Sequence, residues 1–218
     1  MFSLSEENYL KAIFHLEKNY RNGVSTNALA EEMETKASSV TDMVKKLSEK
    51  KLVNYKKYQG AKLSDSGRRT AVEIIRRHRL WEYFLVEKLN FSWDEVHEVA
   101  EELEHIKSEK LITELDKFLD YPRRDPHGDP IPDAQGNFVQ TSKVLLSACK
   151  KSDSGKIVGV KDSSAAFLQY LDKLDIGLGS ILEVRHIEDF DQSIELEVDS
   201  NTITLSHKTA SNLYIQLE

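Results

Sequence analysis

All four prolines of this 218-residue chain fall in one stretch, DYPRRDPHGDPIPDAQGN (residues 120–137), together with two of its nine glycines. Proline has no amide N–H to give a helix or ladder and turns the residue before it away from helical backbone. No regular element can run through this stretch, so it is an ordered but irregular connector. Before it, apolar residues recur mostly at helical spacing; after it, they gather in short β-type runs parted by turn formers. The chain therefore divides into a largely helical part and a C-terminal part of short strands.

In the helical part, residues 4–18 (LSEENYLKAIFHLEK) carry Tyr9, Leu10, Ile13, Phe14 and Leu16 on a first helix, with Ser5 as its cap. A short helix is expected after Ser25, then a break at residues 34–37. A longer helix follows, in which Val40, Met43, Val44 and Leu47 recur at i, i+3, i+4 and i+7. Ser38, Ser39, Thr41, Asp42, Lys45 and Lys46 fall outside that stripe. LVNYKKYQGAKLSDSG adds two β-type runs around a Gln59-Gly60 turn, and Ser64 caps the next helix. Three helices and a two-stranded wing predict a winged helix-turn-helix over residues 1–70. Long helices at 64–89 and 94–119 and a short one at 142–149 predict a helical domain over 71–149. KKSDSGK, residues 150–156, has no apolar residue and is expected to be a linker. Residues 157–218 alternate KIVGV, a helix at 165–171, SILEVRHI, SIELEV, TITLS and a closing helical turn at 210–214, predicting a small SH3-like β-barrel. The expected fold class is mainly α.

Charge is unevenly placed along a chain whose formal net charge is -7. Residues 36–69 hold ten basic side chains against three acidic ones, and residues 93–120 hold three lysines against ten carboxylates. The basic module suits a nucleic-acid duplex and the acidic one a divalent cation. No apolar run approaches the ~18–20 residues of a membrane span, and MFSLSEENYL lacks the basic start and apolar stretch of a secretory signal. The single cysteine, Cys149, cannot form an intramolecular disulfide. A cytoplasmic protein with no membrane partner is expected.

The acidic stretch VHEVAEELEHIKSEK, residues 96–110, sets His97, Glu101, Glu104 and His105 at i, i+4, i+7 and i+8, on one stripe beside the apolar stripe of Val96, Val99, Ala100, Leu103 and Ile106. Taken alone, such a run is as readily a solvated acidic face as a metal site. His78 and Glu82, four residues apart on the preceding helix, favour the second, because two helices then supply six nitrogen and oxygen donors.

ENYLKAIF, SSVTDMVKKLSEKKLVNYKKYQGAKLSDSG, RRHRLWEYFLVEKL, VHEVAEELEHIKSE, DPHGDPIP and DIGLGSILEV together resemble the diphtheria toxin repressor family of metal-dependent transcriptional regulators, including its manganese transport regulator branch. The resemblance covers essentially the whole chain. It implies a homodimeric repressor that binds operator DNA when loaded with Mn(II) or Fe(II). It places the family's N-terminal-helix ligand on Asn8, and on Glu101 the position that is cysteine in iron-type members and glutamate in manganese-type ones. With Glu104, His105 and His78 this set is oxygen-rich, which leans toward manganese. Lys11 stands where two-domain manganese regulators carry a ligating glutamate, so two separated ions per subunit are expected rather than a bridged pair. The second site would take Glu82, Asp125, His127 and Asp162, with His97 as an alternative donor. Asp125 is equally a turn-capping aspartate, and Asp162 equally a helix cap.

A recognition helix enters the major groove by its N-terminal half, so Ser38, Ser39 and Thr41 are the expected base-edge or phosphate donors. Lys45, Lys46, Lys56, Lys57 and Lys62 are expected to hold phosphates, and Tyr58 to pack either on a sugar or on the wing's own core. The leading function is a repressor of metal-uptake genes. A winged-helix regulator of a small organic ligand is the alternative, but the positions that would line its pocket are histidines and glutamates. A metallohydrolase would use the same ligands to activate water, yet the sequence offers no nucleophile or general-base motif, so no enzyme activity is expected.

Overall fold

The computed structural model describes residues 2–20, 22–56, 59–139, 142–199 and 201–217. Two compact units emerge: Met1–His78 with Glu101–Ile112 and Pro132–Asn137, and Arg79–Ala100 with Thr113–Ile131 and Phe138–Glu218.

In the first unit, α1 (Leu4–Leu16) begins two residues earlier than Ser5 suggests. Ser3 is the cap: its Oγ accepts the Glu6 amide and the Glu6 carboxylate accepts the Ser3 amide, a reciprocal capping box. Ser25 caps α2 (Thr26–Glu32) through the Ala28 amide, and α3 (Ala37–Glu49) follows after a break at 33–36. Strands β1 (Val53–Lys56) and β2 (Gly60–Leu63) pair antiparallel as the wing, and Val24 bridges to Ala61 as a short third rung. Gly60, at φ +85°, lets the wing lie against residue 24; a Cβ there would stand 2.6 Å from the Val24 carbonyl oxygen. One core joins Leu10 and Ile13 of α1, Leu29 of α2, Val40, Val44 and Leu47 of α3, and Val53 and Ala61 of the wing. This is the expected winged helix-turn-helix.

Helix α4 (Asp65–Leu89) runs through both units and matches its expected length. Ser64 caps it through the Gly67 amide, and Asn90, at φ 58°, ends it. The single helix expected over 94–119 is two, α5 (Val96–Leu103) and α6 (Glu109–Phe118). Ser108 accepts the Leu111 amide as the cap of α6, and a cap needs non-helical backbone, so the helix cannot pass through it. Glu104 and His105 therefore sit in a turn beyond α5.

The C-terminal sheet belongs to the second unit. It has six antiparallel strands in the order β3-β8-β4-β5-β6-β7: β3 (Val144–Leu145), β4 (Ser154–Val160), β5 (Ile181–Ile187), β6 (Ile194–Val198), β7 (Asn201–Leu205) and β8 (Leu213–Leu217). β3 and β7 remain as edges, so the expected barrel is not closed and the molecule is mixed helix and sheet rather than mainly α. The helix expected at 142–149 is β3 followed by one 3₁₀ turn, Leu146–Ala148, and the expected linker at 150–156 already contains the start of β4. Burial explains both: Leu146 and Cys149 are core residues of the sheet domain, packed with Ile157, Leu168, Leu182 and Ile215. α7 (Ala165–Asp172) matches its expectation, whereas the closing turn is α8 (His207–Ala210), followed by β8.

Candidate metal centres and DNA-reading face

Among the described residues, histidines and carboxylates gather in each unit. The first cluster centres on Glu104, whose side chain is fully buried. Its Oε2 lies 2.6 Å from His78 Nδ1, and both its oxygens accept from Lys11 Nζ at 2.9 Å. Burial opposes a charge on Glu104, but the His78 hydrogen bond and the Lys11 ammonium outweigh it and hold the carboxyl below its usual range. Lys11 also reaches Glu101 Oε1 at 3.1 Å; Glu101 is 46% exposed.

His105 completes the cluster through a partner that sequence reasoning missed. Its Nδ1 lies 2.7 Å from Glu7 Oε2, and its Nε2 faces Glu104 Oε1 at 3.9 Å. A carboxylate accepting from Nδ1 leaves the Nε2 lone pair directed at Glu104, the arrangement that orients a metal-ligating histidine. Glu7 is itself buried, with Lys107 Nζ 2.8 Å from Oε1. Its signal in the sequence was position: Glu7 precedes Leu10 by three residues and lies on the core-facing side of α1, where an unpaired carboxylate is costly. Asn8, the expected α1 ligand, has a buried Oδ1 with no hydrogen-bond partner among the described residues. An amide oxygen withdrawn from water and left unpaired costs about 1–3 kcal/mol, and it suits a hard divalent cation.

The second cluster joins Glu82 of α4 to Asp125 and His127 of the proline-rich connector. All three are buried, and each has a ligand atom within 4.8 Å of the others'. His127 Nε2 lies 2.7 Å from the Trp93 carbonyl oxygen, which can only accept, so Nε2 carries a proton, and Nδ1 faces Glu82 Oε2, 3.7 Å away. Burial opposes charge on this imidazole, but its hydrogen bond to Glu82 and the charges of Glu82 and Asp125 prevail, and its pKa rises to about 9. Burial, then the Glu82 charge, pushes Asp125 up to about 7 against the pull of Arg79. Asp125 also performs the capping role weighed against ligation: its Oδ1 accepts the amides of His127 and Asp129, each at 2.9 Å. Its Oδ2 lies 3.3 Å from Nε of Arg79, a residue the sequence did not single out. Arg79 is pinned further by the Pro130 carbonyl and the Asp129 carboxylate.

His97, expected to share a stripe with Glu104 and His105, instead turns to Glu82 Oε1 at 3.3 Å because α5 ends before Glu104. Asp162 is not brought into the Glu82 cluster; its Oδ1 accepts the Ser164 amide ahead of α7. The sheet domain reaches this cluster through the main chain. The His127 carbonyl accepts the Val160 amide at 2.9 Å, and a Cβ on Gly128 (φ +84°) would stand 2.1 Å from the Val158 carbonyl oxygen.

On α3, Ser38 and Ser39 are exposed on the N-terminal turn, while the Thr41 hydroxyl donates back to the Ala37 carbonyl at 2.8 Å. Lys45, Lys56 and Lys62 are exposed on α3 and the wing. Lys46 is paired with the buried Glu6 at 3.0 Å, and Lys50 joins it at 2.6 Å, so Lys46 serves the fold as well as any phosphate. Lys57 and Tyr58 lie outside the described residues.

A winged helix-turn-helix joined to a helical segment with two histidine–carboxylate clusters and a C-terminal sheet defines a metal-responsive DNA-binding regulator. The comparisons agree. Family models for the iron dependent repressor match in succession: the N-terminal DNA binding domain at residues 1–61 and the metal binding and dimerisation domain at 64–133, followed by a FeoA domain at 144–217. A solved manganese-dependent transcriptional repressor in complex with manganese is 37% identical, with 98% of this chain and 100% of that one covered and a TM-score of 0.87. The diphtheria toxin repressor of Corynebacterium diphtheriae is 28% identical over 96% of both chains. The iron-dependent repressor IdeR of Mycobacterium leprae is 34% identical over 58% of this chain, which spans about half, 54%, of IdeR. The chain belongs to the iron-dependent, or diphtheria toxin, repressor family of metal-dependent transcriptional regulators.

Proposed function

We propose that this chain acts in the cytoplasm as a homodimeric transcriptional repressor that binds operator DNA when loaded with Mn(II), with Fe(II) as the alternative metal, and that it restrains uptake of that metal. The observation that carries this is the convergence on α1 of a DNA-reading head and a donor set. Asn8 Oδ1 has no partner among the described residues, Lys11 grips Glu104, and Glu7 orients His105, all from the helix that packs on the winged core. Asn8, His78, Glu101, Glu104 and His105 would hold one ion, and Glu82, His127 and Asp125, with His97 beside them, a second. An ion held between α1 and residues 101–105 would supply charge neutralisation that fixes α1, and thereby the pose of α3, so metal affinity and DNA affinity become linked. A dimer reads two half-sites only when its recognition helices are held about 34–36 Å apart.

Exposed Leu89, Phe118 (65%) and Tyr121 (61%) offer an apolar face for the second copy, within the segment matched as a dimerisation domain. Ser38 and Ser39 would meet base edges, and Lys45, Lys56 and Lys62 phosphates. The charged lining of both clusters suits a cation rather than an organic ligand.

Fluorescence anisotropy on DNA selected from a random pool tests this. Mn(II) should tighten binding by at least about tenfold, and a chelator should reverse it. Equal affinity with and without metal would contradict it.

A further inference from the structure

We infer that Lys11 is a built-in cation that neutralises the Glu104 centre in the metal-free protein and against which the metal ion must compete, so that this one side chain sets the concentration at which the centre fills. The inference rests on the metal-centre reading above. Lys11 Nζ donates to both oxygens of Glu104 at 2.9 Å and to Glu101 at 3.1 Å, and the lysine side chain is only 14% exposed. Glu104 has no access to water. A carboxylate so placed needs a positive partner at all times, since removing one member of a buried pair leaves an uncompensated charge.

The partnership is also one that can be exchanged. Among the described residues the Lys11 ammonium contacts only carboxylates of the candidate centre itself, and Glu101, the outer of the two, opens to solvent. Lysine is a compact ammonium on a flexible four-carbon stem rather than a fixed fork. Arg79 beside Asp125 is the contrast: it is held by Pro130 and Asp129 as well, so it stays when an ion arrives. A divalent ion that takes up Glu104 must either move the Lys11 ammonium off that carboxylate or share the carboxylate with a positive charge. Both lower affinity and raise the threshold of response.

Lys11→Met, Lys11→Gln and Lys11→Arg test this. Mn(II) uptake is followed by the electron paramagnetic resonance of the free ion, alongside the thermal midpoint of the metal-free and loaded protein. Removing the charge in Lys11→Met should tighten Mn(II) uptake at the Glu104 centre by about tenfold, lower the metal-free midpoint, and widen the gap that Mn(II) restores. Lys11→Gln serves the same purpose should the methionine variant fail to fold. Lys11→Arg, which keeps the charge, should stay close to wild type. Unchanged or weaker Mn(II) binding in Lys11→Met and Lys11→Gln, while wild type binds Mn(II) normally, overturns the role of Lys11 alone. Wild type that takes up no Mn(II) overturns the metal-centre reading and this inference with it.

Discussion

The Glu104 and Glu82 clusters are built from the same residue types but held by different means. Around Glu82, the connector's main chain does the holding: the amides of His127 and Asp129 grip Asp125, the Trp93 carbonyl fixes the His127 ring, and the Val160 amide anchors the His127 carbonyl. Around Glu104, flexible side-chain tips do it, with Lys11 and His78 on Glu104 and Lys107 on Glu7. A site fixed by backbone has little left to organise when its ligand comes, whereas one satisfied by its own cations must exchange partners. We propose that the Glu82 centre fills first and acts as an anchor, and that the Glu104 centre fills later and acts as the switch.

Three substitutions sharpen or break that contrast. Glu104→Ala removes the carboxylate shared by His78 and Lys11, and should abolish metal-stimulated DNA binding, a loss of about tenfold or more in anisotropy titrations, while one ion per subunit still binds. A retained DNA response to Mn(II) would take the switch away from this cluster. Gly128→Ala forces a methyl group against the Val158 carbonyl at a positive φ and should cost about 2–4 kcal/mol. It should appear as a lower thermal midpoint and a weakened tighter ion, with the Glu104 centre still responsive. Unaltered tight binding would mean the sheet domain does not support the anchor. Asp162→Ala should do least, costing about 1 kcal/mol or less for the lost hydrogen bond to the Ser164 amide and leaving the ion count by calorimetry at its wild-type value. Loss of an ion would restore Asp162 as a ligand.

The winged helix-turn-helix and α4 were legible because periodicity and capping are local: Val40, Val44 and Leu47 mark the buried stripe of α3, and Ser64 and Asn90 bound α4. The break between α5 and α6 was not, because the donor spacing from His97 to His105 fits a continuous helix and only Ser108, acting as a cap, says otherwise. The same break sends His97 to Glu82 and Glu104 to His78. Residue types at the centres were readable from the two histidine–glutamate stretches, but the roles of Lys11, Glu7 and Arg79 were not. Lys11 meets Glu104 across 93 positions of sequence, and Glu7 meets His105 across 98, separations at which spacing carries no signal. The C-terminal domain was underestimated for a related reason: Leu146 and Cys149 look like the tail of a helical segment until β3 pairs with β8 near the end of the chain.

The most direct test is a stepwise Mn(II) titration of the metal-free protein in the presence of labelled DNA, with bound ion and DNA anisotropy read from the same sample. The first equivalent per subunit should be taken up with little DNA bound, and DNA binding should rise with the second equivalent as the Glu104 centre fills. DNA binding that is complete at the first equivalent, or that survives full chelation, would contradict this expectation.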